Sequence, residues 1–175
     1  ENTTTSAAPE TSVEASEAKP LREISWMHVE DDEYAAKRIQ SGFTSELGVA
    51  EPFATARSVS GAIDRIKEVI DSGKALDLIV LDKSFLYVDD DDMAESGAWK
   101  EFMNQFEKDA VSQKTLENTK VVIMSGDVDP SELGKIREQF PRIIGALQKT
   151  NRDNSMNLAG LLVQSGIVRA EGKAL

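Results

Sequence analysis

The chain contains no cysteine, which excludes disulfides, thiolate metal sites and cysteine nucleophiles. It has one histidine, His28, so a histidine-rich metal site and a histidine-based triad are both disfavoured. Long apolar runs are missing too. None of those present, Leu78-Ile79-Val80-Leu81 among them, exceeds the length of a strand, far short of the roughly 20 residues that span a bilayer, and no membrane insertion is expected. Positive charge is scarce: 20 basic residues face 31 acidic ones, for a net charge of −11. A nucleic-acid binder needs a basic face to displace counterions, so direct nucleic-acid contact is not expected, nor binding to an anionic membrane surface. What remains is carboxylate, hydroxyl and lysine chemistry. Hydrophobic residues make up 40% of the 175 residues, enough to build a real core, and this length favours one domain with appendages.

Residues 1–20 are Thr, Ser, Ala, Glu and Pro with a single valine, too little apolar surface to offset the entropy of ordering. A disordered acidic tail or linker is therefore expected over residues 1–22, a folded domain over 23–168 and a short C-terminal tail over 169–175. The chain opens on Glu1 without a methionine and shows no signal-peptide pattern, as expected of a processed product or a piece of something longer.

Within the domain, strands and helices alternate. Strands are predicted at Ile24–Val29, Phe53–Val59, Asp77–Asp82, Lys120–Met124 and Arg142–Leu147. Helices are predicted at Tyr34–Leu47, where Ala35, Ile39, Phe43 and Leu47 fall four apart, and around Ile63–Ile70 and Trp99–Phe106. Two more are expected at Ser131–Phe140 and Ser155–Gln164. The run Leu78–Leu81 is apolar on both faces, as in a strand covered on two sides. Five alternations predict an α/β fold with a doubly wound, five-stranded parallel sheet.

In such sheets ligands bind beyond the carboxyl ends of the strands. The residues there are Glu30, Asp31 and Asp32 after the first strand, Asp82 at the third, Ser125 at the fourth and Lys149 after the fifth. Clustered carboxylates repel unless protonated or neutralised by a hard cation, and oxygen ligands without histidine or cysteine favour Mg²⁺. A carboxylate, a hydroxyl and an ammonium beside such a cation suit phosphoryl transfer, with Asp82, at the end of the most buried strand, the best candidate nucleophile.

The segments Val29-Glu30-Asp31-Asp32-Glu33, Leu78-Ile79-Val80-Leu81-Asp82 and Val122-Ile123-Met124-Ser125-Gly126, with Lys149, resemble those of two-component response-regulator receiver domains over residues 23–168. The resemblance implies the flavodoxin-like receiver fold with strand order 2-1-3-4-5. It implies that Asp82 is the phosphoacceptor, that Ser125 and Lys149 hold the phosphoryl oxygens, and that Glu30, Asp31, Asp82 and the backbone carbonyl of Ser84 hold Mg²⁺ or Mn²⁺. Ser84 and Asp127 match positions that tune phosphoryl lifetime, and Asp32 is an additional acid. The phosphodonor implied is a histidine kinase or histidine phosphotransfer protein, with output through a downstream protein or fused domain, a possible homodimer, and a cytoplasmic location. Any enzymatic activity would stop at Mg²⁺-dependent self-phosphorylation and slow autodephosphorylation.

The sequence departs from that pattern in several places. Leu86 stands where a proline is usual, Thr150 replaces another proline, and Ala146 stands where an aromatic ring is common. An acidic insertion at about residues 86–96 carries Asp89–Asp92 and Glu95, with Gly97 only at its end. Lys83 beside Asp82 is a further oddity. These departures keep open a receiver-like docking module that does not switch by phosphorylation. A phosphohydrolase is a weaker third reading, because Ser84 stands where its second carboxylate would be. Read singly, each residue has a plainer role: Ser125 as a helix cap, Lys149 as a surface lysine, the acids as helix-start charges, and His28 as a packed histidine. The acidic run does not fit a calcium loop, since Glu95 occupies the glycine position counted from Asp90; a solvated, mobile loop is expected.

Overall fold

The computed structural model describes residues 18–127 and 129–169. Five strands, β1 (Trp26–Val29), β2 (Ala54–Ala56), β3 (Leu78–Asp82), β4 (Lys120–Ser125) and β5 (Ile143–Gln148), form one parallel sheet. Its order is β2-β1-β3-β4-β5, the order expected. Among the described residues four α-helices connect them, α1 (Glu33–Leu47), α2 (Val59–Ser72), α3 (Ala98–Ala110) and α4 (Pro130–Gln139), and a fifth, α5 (Asn154–Gln164), follows β5.

The strands alternate their apolar side chains between two cores, as the two-residue period of a strand requires. Ile79 and Leu81 of β3 face the core built with α2, α3 and Ile136 of α4, which includes Ile66, Phe102 and Phe106. Leu78 and Val80 face the core with α1 and α5, which includes Trp26, Phe43, Leu158 and Leu162. Because the helices cover both faces, polar groups can gather only at the sheet's two ends.

Local signals set the element ends. Asp32 caps α1 by accepting from the Ala35 amide at 3.1 Å, and Gly48 closes it with φ 72°, a left-handed conformation that glycine takes at little steric cost. Ser58 caps α2 by accepting from Gly61 N at 2.9 Å. That cap shortens β2: Val59, read as strand from the sequence, is the first residue of α2. Gly145 leaves room for α5, since a Cβ there would sit 2.7 Å from Leu161 Cδ2.

The packed body extends past the expected limits of residues 23 and 168. Lys19 pairs in parallel with Val168, its amide donates to Ile167 O at 3.0 Å, and Arg169 N donates to Lys19 O at 3.1 Å. The Lys19 ammonium also holds Asp77 at 2.9 Å. The rest of the expected tails, residues 1–17 and 170–175, lies outside the described residues. No helix among the described residues is long and apolar enough to cross a membrane.

The acidic insertion is exposed over residues 87–90 and 92–97, as a solvated loop is, and it is tied to the body at several points. Phe85 and Leu86 are buried, and Leu86 O accepts from Val59 N at 2.8 Å. Asp89 accepts from the Ser58 hydroxyl at 2.5 Å, so its carboxylate sits at the start of α2, where the helix dipole favours negative charge. Asp91 accepts from the amides of Tyr87 and Val88. Leu86 fits because it fills a buried position that follows from this pairing.

Candidate functional site

Strand register brings the rim residues together. Val29 pairs with Leu81, so Glu30 leaves β1 beside Asp82, the last residue of β3. Glu30 N donates to Ala56 O at 2.8 Å, which ties the start of that loop to β2. On the other side Asp82 pairs with Met124 and Ser125 with Gln148, and Lys149 N donates to Ser125 O at 2.7 Å. Glu30, Asp82, Ser125 and Lys149 thus all stand at the carboxyl ends of their strands.

The Lys149 side chain crosses from β5 to β3 and β1. Its ammonium donates to Asp82 Oδ2 at 2.8 Å and lies 2.8 Å from Glu30 Oε1 in an ion pair that lacks hydrogen-bond alignment. Glu30 Oε1 is therefore buried with no hydrogen-bond donor, while Oε2 accepts from Asp32 N at 3.2 Å. Asp82 Oδ1 accepts a long bond, 3.4 Å, from Ser84 N. Glu30 and Asp82 are 3% and 5% exposed, and carboxylate oxygens of Glu30, Asp31 and Asp82 lie within 4.8 Å of one another.

Burial raises the Glu30 pKa to about 7, with Asp82 adding to the shift and Lys149 opposing it. Burial alone would lower the Lys149 pKa, but the bond to Asp82 and the adjacent Glu30 carboxylate outweigh it and the net shift is upward. His28 is packed under the rim, with Nδ1 2.9 Å from Gln40 Nε2. Its burial lowers its pKa to about 4, against the pull of Asp82. His28 is thus a neutral core residue, as its plainer reading held.

Three carboxylates face one ammonium here, and one buried carboxylate oxygen has no donor. Both observations fit a hard divalent cation, which would supply the missing charge and a partner for that oxygen; an all-oxygen donor set suits Mg²⁺ or Mn²⁺. Glu30, Asp31 and Asp82 are the residues placed to hold it, with half-exposed Asp31 on the open side.

Ser125 is at the rim, but its hydroxyl is engaged elsewhere. It donates to the Asp127 carbonyl at 2.7 Å and accepts from the Asp127 amide at 3.1 Å, closing a small turn. Asp127 itself is exposed. Beside this turn a cavity of about 10 Å³ is lined by Ile123, Ile136, Ala146 and Lys83 among others, no more than the space one water takes.

One contact in this region was not visible in the sequence. Lys83, next to Asp82, forms an ion pair with Glu132 in the first turn of α4. The two residues are 49 apart in the chain, so neither spacing nor local pattern could have joined them.

No family model matches the chain, and no curated protein matches it. Solved structures do. A two-component response regulator from Cytophaga hutchinsonii superposes with a TM-score of 0.60 at 17% identity, covering 81% of this chain and 95% of that one. A DNA-binding response regulator of the LuxR family from Staphylococcus aureus gives 0.58 at 14% identity, covering 82% and 98%. The CheX-CheY-BeF3-Mg²⁺ complex from Borrelia burgdorferi gives 0.56 at 16% identity, covering 81% and 87%. At these identities the likeness is one of fold: the chain has the fold of response-regulator receiver domains.

Proposed function

We propose that this chain is a phosphoacceptor receiver module of a two-component signalling system, accepting a phosphoryl group on Asp82. The observation that carries this reading is the Lys149 ammonium, 2.8 Å from both Asp82 Oδ2 and Glu30 Oε1 at the sheet's carboxyl rim. An ammonium already bonded to the acceptor carboxylate is placed to stay with the charge that develops when a phosphoryl oxygen replaces it as partner. Asp82 acts as the nucleophile: one carboxylate oxygen forms the new bond to phosphorus, and the donor's leaving group departs with its electron pair. Mg²⁺ held by Glu30, Asp31 and Asp82, with the Ser84 carbonyl, would neutralise phosphoryl charge. Ser125 contacts the phosphoryl group only after giving up its bonds to Asp127, and exposed Asp127 and Ser84 set how easily water reaches it.

The donor in this reading is a histidine kinase or histidine phosphotransfer protein, and output passes through protein contacts, including a possible homodimer, in the cytoplasm. A docking module that does not switch is the second reading. It is favoured by the engaged Ser125 hydroxyl and by the small Ala146 side chain beneath α4.

Intact mass after incubation with Mg²⁺ and a small acyl phosphate tests the proposal. A phosphate-sized gain in the wild type and none in Asp82→Ala is the expected result. The variant should still fold, because it removes one of three clustered carboxylates and leaves Glu30 to pair with Lys149. Phosphate incorporated equally by both proteins would remove Asp82 from the acceptor role. No incorporation, together with no Mg²⁺ binding by titration, would favour the docking module.

A further inference from the structure

A second, smaller ladder forms beyond the end of β1. Within the sheet β1 lies between β2 and β3. Past the end of β1, the chains leaving β2 and β3 pair with each other instead. Ser58 and Leu86 form a parallel bridge, in which Leu86 N donates to Arg57 O at 3.3 Å and Val59 N to Leu86 O at 2.8 Å. Ser60 N donates to Tyr87 O at 3.0 Å. A side-chain bond closes the ladder, from the Ser58 hydroxyl to Asp89 Oδ1 at 2.5 Å. Ser58 is fully buried, and without Asp89 its hydroxyl would keep only Ser60 Oγ, at 3.3 Å, as an acceptor. Gly61 leaves room for this closure, since a Cβ there would lie 3.0 Å from Ser58 Oγ and 3.2 Å from Asp89 Oδ1.

Both strands of this ladder lead back to the rim carboxylates. Ala56, just ahead of the paired segment, accepts from Glu30 N at 2.8 Å. On the other strand, the Ser84 amide stands 3.4 Å from Asp82 Oδ1. The Lys83 amide is held by Met124 O at 3.1 Å, so the Lys83–Ser84 turn is stretched between β4 and the ladder.

We propose that the Ser58–Asp89 bond positions the rim carboxylates for a divalent cation, with Ser58 and Asp89 as positioning residues outside the cluster of Glu30, Asp31 and Asp82. The proposal rests on the cation site of the function proposed above. A frame that is ordered beforehand binds more tightly than one the ligand must order, because less conformational entropy is lost on binding. The ladder supplies that frame: it fixes where Glu30 leaves β1 and where the Ser84 turn meets Asp82. When it opens, part of the binding free energy goes into ordering the turn. By linkage, the cation then stabilises the closed ladder by the same factor by which the ladder strengthens binding.

The experiment titrates Mg²⁺ alone into the metal-free full-length chain by calorimetry, beside Asp89→Ala, Asp89→Asn and Asp90→Ala. Asp89→Ala removes the acceptor and should weaken binding about ten-fold, as for loss of an outer-shell partner. Asp89→Asn keeps an oxygen for the Ser58 hydroxyl and should stay within about two-fold of wild type. Asp90→Ala removes a charge from the same loop without touching the bond; screening should keep it within about two-fold as well. Amide exchange at Leu86 and Ser60 in the wild type gives a readout that needs no variant, and saturating Mg²⁺ should slow it about ten-fold. A loss in Asp89→Asn or Asp90→Ala equal to that in Asp89→Ala would reduce the effect to charge and overturn the positioning role. Wild-type affinity in Asp89→Ala overturns it too, as does exchange at Leu86 and Ser60 that bound Mg²⁺ leaves unchanged. If the wild type binds no Mg²⁺, the cation site itself falls, and the positioning role with it.

Discussion

The helices α3 and α4 cover the same face of the sheet but are held in different ways. α3 inserts Phe102, Met103 and Phe106, all fully buried, and adds the edge-on contact of Trp99 with Phe140. Arg142 braces the chain that follows it, pairing with Glu107 at 3.1 Å, lying over the Phe106 ring and donating to the carbonyls of Leu116, Glu117 and Thr119. α4 buries Ile136 within its span and ends on Phe140, its buried C-terminal cap and the partner of Trp99; beyond these it has the Asp129 cap and one surface ion pair. The rim therefore sits between a densely packed, rigid half, which carries Glu30 and Asp82, and a more lightly packed half, which carries Ser125, Lys83 and α4.

Substitutions in the two helices test this contrast most directly. Phe102→Ala should lower the unfolding free energy by about 3–5 kcal/mol, and Ile136→Ala by only about 2 kcal/mol, because a site at the edge of the core relaxes more easily. Urea denaturation measures both, and equal losses would break the comparison.

The pH dependence comes next in size. In the absence of divalent cation, His28 titrates near 4 when folded against 6.5 ordinarily. The unfolded chain binds more protons in that window, so this group makes stability rise as pH climbs from about 4 to 6.5. Glu30 titrates near 7 against 4.5; the folded chain binds more protons, and stability falls as pH climbs from about 4.5 to 7. The slopes oppose each other, and the wild type should be nearly flat between about pH 5 and 6.5. His28→Gln should leave the Glu30 slope alone, with a loss of up to about 3 kcal/mol toward pH 7. Denaturation midpoints across that range measure it, and a flat profile in the variant would show that the rigid half does not hold these groups as described. The smallest effect belongs to Gly145→Ala. The new Cβ meets the end of the Leu161 side chain, which can swing aside, so the cost should be about 1 kcal/mol by thermal denaturation.

The alternation of strands and helices was legible because each amphipathic run declares its own period, and the rim acids could be located once strand ends were known. The sheet order followed from the resemblance and is the order observed. Short-range competition hid the rest. Phe53–Val59 has strand-like residues, but Ser58 caps a helix and takes Val59 with it. Asp89–Asp92 is the solvated run its composition suggests, but composition did not show that Ser58, distant in the chain, donates to Asp89. The direction of the Ser125 hydroxyl and the Lys83–Glu132 pair depend on side chains meeting across the fold, which neither period nor composition encodes.

The parallel pairing of Lys19 with Val168 has a mechanical consequence. A pull that draws the segment before Lys19 away from the segment after Arg169 runs along the two bridged segments rather than across them. The bonds Lys19 N to Ile167 O and Arg169 N to Lys19 O are then loaded together in shear, with the Lys19–Asp77 ion pair as a third anchor. Tension between the two ends would have to rupture this clasp in one event before it reached β1, and the rim at the far end of the sheet would not feel it until then.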